Sequence, residues 1–152
     1  MHKIKVFSIE KEIKDEFETI SKNYEKMISR YAKFEHIVCF NKKIVQAQKN
    51  DIAIAKKSYS EVYRDKIKNY SICLDESGKI YDSIGFSNIF EKENEINFFI
   101  GGAYGFEGNF LKQCNEVVSL SKLTFSHKIA KIVLLEQIYR ALSIVNKHPY
   151  HK

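Results

Sequence analysis

The sequence predicts an α/β fold in which a mostly parallel sheet carries helices on its faces. Along the 152 residues, the spacing of apolar side chains switches repeatedly between about two and about 3.6, so short strands alternate with amphipathic helices. The chain is also 44% apolar and 13% aromatic, which suffices to bury a core at this length. It contains no repeat, low-complexity tract or linker. We therefore expect residues 1–152 to form one domain.

Strands and helices alternate in the first half of the chain. Ile4 and Val6 alternate with lysines, which indicates a strand at residues 3–9. Apolar residues then recur at spacings of three and four over residues 13–31, as on one face of a long helix. The same periodicities assign the other elements of this half: a strand at 34–40, a loop containing Lys42 and Lys43, a helix at 52–67 and a short buried strand at 70–74.

Turn and capping residues divide the second half. Residues 75–78 have the composition of a turn, which is expected to end the strand at 70–74. Asp82 or Ser83 can cap a short helix that runs to Phe90. The remaining elements are a strand at Glu95–Ile100, a helix at 110–115, a strand at 116–120 and a long helix at 128–145. Ligands of such sheets bind beyond the carboxyl ends of the strands, where we expect the chemistry.

The composition also bears on the compartment. No apolar run approaches the roughly 18 residues that span a bilayer, and the charged beginning of the chain is unlike a signal peptide. Cys39, Cys73 and Cys114 are an odd number with no close pair, and the first two lie in apolar runs. We expect three buried, reduced thiols and a cytoplasmic protein without a membrane partner.

All of the excess positive charge lies in the first half of the chain. Residues 1–68 hold 16 basic and 10 acidic side chains, whereas residues 69–152 hold 9 of each. Lysine and arginine neutralise phosphates without recognising sequence. The basic segment therefore offers a candidate polyanion contact, with a solvated helix face as the alternative. Its leading residues are Lys42, Lys43, Lys56 and Lys57.

A glycine cluster follows the strand Glu95–Ile100. Four of the six glycines, Gly101, Gly102, Gly105 and Gly108, fall within these few residues. Glycine lets a ligand approach the main chain closely, so the cluster is a candidate cofactor floor, with a mobile loop as the alternative. Neither the dinucleotide fingerprint nor a Walker A pattern is present.

The long helix at 128–145 is apolar around nearly its whole circumference. Such a helix is buried on more than one side. Because its own sheet can cover one side, we expect a second copy of the chain to cover the other, giving a homodimer through this helix. A narrow polar stripe remains, formed by Glu136, Arg140 and Ser143. Arg140 is either one half of an exposed ion pair or a buried clamp for a phosphate or a base.

The end of the chain concentrates two imidazoles and a phenol. Pro149, the only proline, stops the helix and favours an extended His148. An untied terminus is the simplest interpretation of the segment at 148–152. A metal site is the less favoured one, because His148 and His151 have no convincing third ligand nearby, and we expect no metal.

Four ordered motifs in the last third of the chain resemble a known family. They are IGG with Gly105 at residues 100–105, LSKLTFSH at 120–127, LEQIYRA at 135–141 and HPYH at 148–151. Together they closely resemble the RlmH family of small SPOUT-class methyltransferases, which act on 23S ribosomal RNA. The resemblance implies that S-adenosylmethionine methylates N3 of a pseudouridine in the assembled ribosome. It also implies a deep trefoil knot in the carboxyl-terminal part of the domain.

The resemblance further implies residue roles. The cofactor would be cradled by Leu74, Gly102, Leu120, Ser121, Lys122, Leu123, Thr124 and Phe125. The RNA base would be met, across the dimer interface, by Arg140, His148, Tyr150 and His151. One histidine would accept the proton of the acceptor N–H, Tyr150 would place the base and Arg140 would stabilise charge on a carbonyl oxygen. The sequence does not distinguish the two histidines. A SPOUT enzyme acting on transfer RNA and a non-catalytic RNA-binding module remain the alternatives.

Overall fold

A five-stranded parallel sheet forms the centre of the protein, and the computed structural model describes all residues from Met1 to Lys152. The strands are β1 (His2–Ser8), β2 (Ala32–Val38), β3 (Tyr70–Ile80), β4 (Glu95–Ile100) and β5 (Glu116–Ser119). Their order is β2-β1-β4-β3-β5, and every neighbouring pair is parallel. The predicted α/β class is therefore confirmed. The trefoil knot is not established by strand order and stays a prediction.

Six α-helices cover the two faces of this sheet. They are α1 (Glu16–Ile28), α2 (Lys42–Asn50), α3 (Ile52–Tyr63), α4 (Ser83–Lys92), α5 (Gly108–Gln113) and α6 (His127–Val145). Helices α1, α4 and α6 pack on one face, and α2, α3 and α5 pack on the other. Five helices begin at a side chain that accepts a hydrogen bond from the backbone three residues later, namely Asp15, Asn41, Asp51, Asp82 and Ser126. Each cap satisfies an N–H group that lacks a partner inside its helix.

The central strands supply both cores, because successive side chains point to opposite faces. Val6 and Phe98 pack beneath α6, whereas Phe7 and Phe99 pack beneath α3. The rings of Phe7 and Phe99 stack with centroids 5.0 Å apart. Since helices cover both faces, strand β4 is buried at every position after its first residue. No helix combines the length and apolar character that crossing a membrane requires.

The segment before Ile52 is a helix, so the predicted loop at Lys42 and Lys43 is wrong. Both lysines lie exposed in the first turn of α2, whose N-cap oxygen on Asn41 accepts from the backbone of Ile44 at 2.9 Å. The helix buries only two residues, too few for an apolar period to be visible in the sequence. The helix predicted at 52–67 is shorter in the structure. Helix α3 ends at Tyr63, and a single 3-10 turn follows it.

The turn composition of residues 75–78 predicts that the strand ends there, but β3 continues to Ile80. Its pairing with β5 shifts register between Leu74 and Lys79 and then continues to Ile80, so the intervening residues form a bulge. A Cβ atom on Gly78 would lie 2.6 Å from the backbone carbonyl of Val117, which leaves room only for glycine. The bulge therefore carries polar residues to the carboxyl edge of the sheet.

Two of the three cysteines are paired. Cys73 of β3 and Cys114 after α5 form a disulfide with their Cα atoms 6.4 Å apart, although 41 residues separate them in sequence. The prediction of three reduced thiols is therefore wrong for this pair. Cys39 is free and buried, and burial raises the pKa of its thiol.

A buried polar network joins β1 and β2 to α1 and α6. The Nε2 atom of His36 lies 2.7 Å from Ser8 Oγ, and its Nδ1 atom lies 3.6 Å from Glu25 Oε1. Nearby, the ammonium of Lys131 donates to Glu10 at 2.8 Å, and the two side chains are only 3% and 10% exposed. Desolvation, followed by the positive charge of Lys131, lowers the pKa of His36 from its ordinary value of 6.5.

We expect His36 to make the fold less stable in mild acid. The unfolded chain takes up a proton near pH 6.5, before the folded chain does, because folding lowers this pKa. The contribution is complete above that pH and is lost as the pH falls through the folded-state pKa. In urea unfolding between pH 7.5 and 5.5, the unfolding free energy should fall by at most about 1.4 kcal/mol per pH unit. His36→Gln should flatten this dependence, and an equal slope in both proteins would contradict the assignment.

Candidate active site

A cavity of about 690 Å³ opens at the carboxyl ends of β3, β4 and β5. Three stretches of chain form its wall: the β3 bulge, the glycine loop after β4, and the loop that connects β5 to α6. Its lining includes Leu74, Asp75, Glu76, Ser77, Ile100, Gly101, Gly102, Gly105, Ser119, Leu120, Ser121, Leu123, Thr124, Phe125, Ser126 and His127. This is the edge of a parallel sheet at which ligands are held.

Gly102 forms part of the cavity wall directly over an aromatic ring. A Cβ atom at this position would lie 2.3 Å from the ring of Tyr59, which is fully buried. Tyr59 itself is anchored, because its hydroxyl donates to Gln48 Oε1 at 2.6 Å. The ring cannot retreat without breaking this hydrogen bond and leaving the core. The Tyr59 ring behind the cavity wall therefore requires glycine at position 102, and the wall consists of main chain alone at this point.

We expect Gly102→Ala to disrupt the cavity. The added methyl overlaps the Tyr59 ring, and such overpacking costs roughly 1–3 kcal/mol. Equilibrium dialysis with S-adenosylmethionine should show a loss of affinity of at least tenfold, while thermal unfolding reports the stability change. Gly108→Ala is the matched control, because a Cβ atom there meets nothing within 4 Å. Equal affinities for the two variants would contradict this account of the cavity.

The loop between β5 and α6 is shaped by its own side chains. Ser119 Oγ donates to the carbonyl of Ser121 at 2.9 Å, and Ser121 Oγ accepts from the backbone N–H of Leu123 at 3.0 Å. Across the cavity mouth, Thr124 Oγ1 donates to Glu76 Oε1 at 2.6 Å. This last contact joins the loop to the β3 bulge. These hydrogen bonds give the loop, which lines the cavity, a defined shape.

Most of the residues predicted to hold a cofactor line this cavity. They are Leu74, Gly102, Leu120, Ser121, Leu123, Thr124 and Phe125. Lys122 lies in the same loop but is exposed and is not part of the lining. Sequence reasoning missed Asp75, Glu76 and Ser77, because their composition is that of a turn. The neighbouring sequence does not indicate that the strand resumes after these residues, which is why they line the cavity.

Three of the four residues predicted to meet the base, Arg140, Tyr150 and His151, cluster at the other end of α6, whereas the ring of His148 packs against Tyr31. Glu136 Oε1 accepts from Arg140 at Nε (3.1 Å) and Nη2 (2.5 Å) and from the Tyr150 hydroxyl (3.1 Å). The Arg140 guanidinium lies 4.8 Å from the centre of the Tyr150 ring, and its Nη1 atom lies 3.2 Å from His151 Nδ1. Desolvation and the Glu136 contact raise the pKa of Tyr150 to about 12. The tail is therefore anchored to α6, and the interpretation of the segment as an untied terminus is wrong.

A helix-ending motif fixes where this tail begins. Lys147 adopts a φ of +57°, and its N–H donates to the carbonyl of Ile144 at 3.0 Å. The next N–H, of His148, donates to Ser143 at 2.8 Å. This pair of bonds is a Schellman motif, which satisfies the last carbonyls of the helix and reverses the chain. The tail therefore folds back along α6.

The chain is similar to known proteins along almost its whole length. The family model described as "Predicted SPOUT methyltransferase" matches residues 2–151. The chain is 48% identical over 150 residues to ribosomal RNA large subunit methyltransferase H of Aliarcobacter butzleri, covering 99% of each chain. It is 49% identical over 149 residues to the protein of that name in Campylobacter jejuni strain 81-176, covering 98% of this chain and 99% of the relative.

The chain belongs to the SPOUT methyltransferase family. Among solved structures, an RNA methyltransferase of Bacillus anthracis has a TM-score of 0.50 at 11% identity, over 97% of this chain and 96% of that one. A likeness at this identity concerns the fold alone.

A single chain of this SPOUT protein keeps the cavity and the tail apart. The cavity reaches Ala130 in the first turn of α6, whereas the tail contacts Glu136 through Tyr150 and Arg140 through His151. Arg140 lies ten residues beyond Ala130. Ten helical residues correspond to about 15 Å along the axis. Helix α6 is moreover flanked by α1 and α4 of its own chain, so its apolar circumference does not by itself require a partner. The dimer prediction is based on an apolar side of α6 that the chain itself leaves uncovered. Because α1 and α4 pack against this helix, that argument for a dimer is weaker.

The predicted polyanion contacts form a separate surface. Lys42, Lys43 and Lys57 are exposed and Lys56 is half-buried, on helices α2 and α3. None of them lines the cavity. No group of three or more His, Cys, Asp or Glu side chains is placed to hold a metal ion.

Proposed function

We propose that this chain transfers a methyl group from S-adenosylmethionine to ribosomal RNA of the large ribosomal subunit, at N3 of a pseudouridine in the assembled ribosome. One observation carries the proposal. The cavity at the carboxyl edge is built from the same segments that the family resemblance assigns to the cofactor, in a chain nearly half identical to ribosomal RNA large subunit methyltransferases H along almost its whole length.

The cavity fits a nucleoside cofactor in size and chemistry. Its volume of about 690 Å³ lies within the range of small-molecule sites. Bare main chain at Gly102 and the exposed backbone of residues 120–125 can hydrogen-bond a flat heterocycle, and Leu74 can pack against it. When bound, S-adenosylmethionine supplies a methyl group that is already electrophilic, so the protein's contribution is chiefly alignment.

The tail supplies the groups that the acceptor requires. An imide N–H keeps its proton at neutral pH and must lose it as the new bond forms, and an imidazole is suited to accept that proton. The His151 imidazole, the Tyr150 ring and the Arg140 guanidinium lie together at the tail, and the His148 imidazole packs beside Tyr31. Aromatic and guanidinium planes stack on unpaired RNA bases, and a guanidinium stabilises negative charge on a carbonyl oxygen.

We infer that a homodimer completes the site. Ala130 of the cavity wall and Arg140, which His151 contacts, lie about 15 Å apart along one helix. We infer that the tail of one chain therefore serves the cavity of its partner. The outward face of α6 carries Ile129, which is 37% exposed, and the half-buried Val133 and Ile144, beside Glu136 and Arg140. Ser143, the third residue of the predicted polar stripe, is buried. A symmetric dimer that pairs these faces places each tail beside the other cavity if the two α6 helices run antiparallel.

The function is tested by product analysis. Purified protein and S-adenosylmethionine are incubated separately with ribosomes and with transfer RNA from cells that lack the enzyme, and the nucleosides are then examined by mass spectrometry. We expect a methylated pseudouridine from the large subunit only. Methylated transfer RNA would instead favour a related SPOUT activity. Binding of RNA without any methyl transfer and without cofactor affinity would favour a non-catalytic module.

The basic surface on α2 and α3 is proposed to contact ribosomal RNA backbone. We expect Lys56→Glu combined with Lys57→Glu to weaken ribosome binding by at least tenfold at physiological salt, because each lost cation removes a phosphate contact. The salt dependence of binding should also become shallower. Affinity for S-adenosylmethionine should not change, because neither lysine lines the cavity. Unaltered ribosome affinity would assign these lysines to a merely solvated face.

A further inference from the structure

We propose, on the basis of the methyl transfer proposed above, that the two tail histidines have different roles. His148 accepts the proton of the RNA base, and His151 donates a hydrogen bond to one of the base's carbonyl oxygens. The contact with Arg140 is what makes His151 the hydrogen-bond donor. Glu136 in turn positions Arg140.

The assignment begins with the orientation of the guanidinium. Glu136 Oε1 accepts from two of its nitrogens, Nε at 3.1 Å and Nη2 at 2.5 Å. This pair of bonds fixes the guanidinium plane and directs Nη1 toward the tail, where it lies 3.2 Å from His151 Nδ1. Because arginine has only donors, Nδ1 must be the acceptor in this contact. The neutral His151 ring therefore carries its proton on Nε2.

The tautomer determines what His151 can do. Its one lone pair on nitrogen is already engaged by Arg140, so the ring has no free acceptor for a proton from the base. Its Nε2–H is a free donor. As N3 of the base loses its proton, negative charge spreads to the two flanking carbonyl oxygens. A donor placed at one of these oxygens stabilises that charge.

His148 is in the opposite situation. Its side chain forms no hydrogen bond, it is exposed, and its ring lies edge-on to the ring of Tyr31, with centroids 6.3 Å apart. The Schellman motif at the end of α6 fixes its backbone, through the bond from its N–H to the carbonyl of Ser143. The backbone thus starts the side chain from a defined place, and the ring keeps a free nitrogen lone pair, which a proton acceptor requires.

The resulting step is balanced. The N3–H bond breaks and its proton goes to the free nitrogen of His148. The N3 lone pair forms the bond to the methyl carbon as the carbon–sulfur bond breaks, and that bond's electron pair stays on sulfur as a neutral thioether. The imidazolium of His148 then returns its proton to solvent, to which it is exposed.

Glu136 is the positioning residue of this arrangement. The same oxygen that orients Arg140 also accepts the Tyr150 hydroxyl at 3.1 Å, and Oε2 accepts from Gln137 at 2.7 Å. Its carboxylate thereby joins the helix, the guanidinium and the tail. It forms no hydrogen bond with His148 or His151.

The first test is spectroscopic and needs no RNA. In long-range proton–nitrogen correlation spectra of ¹⁵N-labelled protein above pH 7, His151 should appear as the Nε2–H tautomer. In Glu136→Gln, a neutral amide orients the guanidinium less firmly, and we expect His151 to show both tautomers in exchange. A His151 ring protonated on Nδ1 in the unmodified protein would overturn the proposal, whatever the protein's substrate is.

The second test compares matched variants in ribosome methylation. A glutamine amide offers a carbonyl acceptor and an NH2 group that donates, but no basic nitrogen. His151→Gln can therefore replace the proposed donor, and we expect its kcat to fall by less than about tenfold, whereas His151→Ala should fall further. His148→Gln cannot take up a proton, and its kcat should fall by about 10²–10⁴. S-adenosylmethionine affinity checks that each variant is folded.

The outcomes separate the two proposals. If the unmodified protein methylates ribosomes and His151→Gln is the more damaging variant, the histidine roles are overturned while the function stands. If the unmodified protein modifies no ribosomal RNA, the function fails, and the tautomer still decides whether Arg140 organises His151 as inferred.

Discussion

Removal of residues 148–152 is expected to abolish methyl transfer and to leave S-adenosylmethionine binding intact. The tail carries both imidazoles and the Tyr150 ring, so kcat should fall by more than about a thousandfold through loss of the proton acceptor and of base positioning. The cofactor cavity contains none of these residues. Radiolabelled methyl transfer to ribosomes measures the first effect, and equilibrium dialysis measures the second. A truncated protein that retains normal turnover would remove the tail from the mechanism.

Mixed dimers show whose cavity the tail serves. A chain without its tail keeps an intact cavity, and a chain with Gly102→Ala keeps an intact tail. If each site combines two chains, co-expression with different affinity tags should restore about a quarter of the normal activity, because half of randomly formed dimers contain one complete site. Placing both defects in one chain and mixing it with another tail-less chain is the control, which should stay inactive. No recovery in the mixed dimer would contradict a shared site.

The second large effect is expected at the buried ion pair of Lys131 and Glu10. Glu10→Ala leaves the Lys131 ammonium, only 3% exposed, without its partner. An unpaired buried charge typically costs about 3–5 kcal/mol, so the unfolding midpoint of a chain this size should fall by roughly 10 °C. Differential scanning calorimetry at neutral pH measures the change. Since Lys131 directly follows Ala130 of the cavity wall, cofactor affinity should fall with it.

A double replacement separates charge from packing. Glu10→Leu together with Lys131→Met fills similar volume without charges, and we expect it to recover most of the stability lost in Glu10→Ala. Lys3→Ala, which breaks an exposed pair with Glu95, is the matched surface control and should change stability by less than about 1 kcal/mol. A double variant as unstable as Glu10→Ala would show that shape, and not the unpaired charge, is responsible.

Local patterns predicted the elements whose burial is regular. The strand Glu95–Ile100 and the start of α4 after its N-cap Asp82 occur where apolar periodicity and capping residues indicated. Helix α2 was missed because a helix with two buried residues shows no apolar period. The β3 bulge was missed for a different reason: residues 75–78 have turn composition, and only the pairing of Lys79 with β5 continues the strand.

The sequence by itself determined the parallel α/β class, the glycine loop and the family motifs, because strand alternation, helical spacing and short motifs are properties of neighbouring residues. Tertiary structure alone decided that Tyr59 lies behind Gly102, that Cys73 meets Cys114, and that Glu136 directs Arg140 onto His151. These contacts depend on how separate elements pack, and no periodicity records which side chain will face another across the chain. The sequence therefore predicted the separate segments of the candidate site, whereas the different roles of its residues could be inferred only from their contacts in the structure.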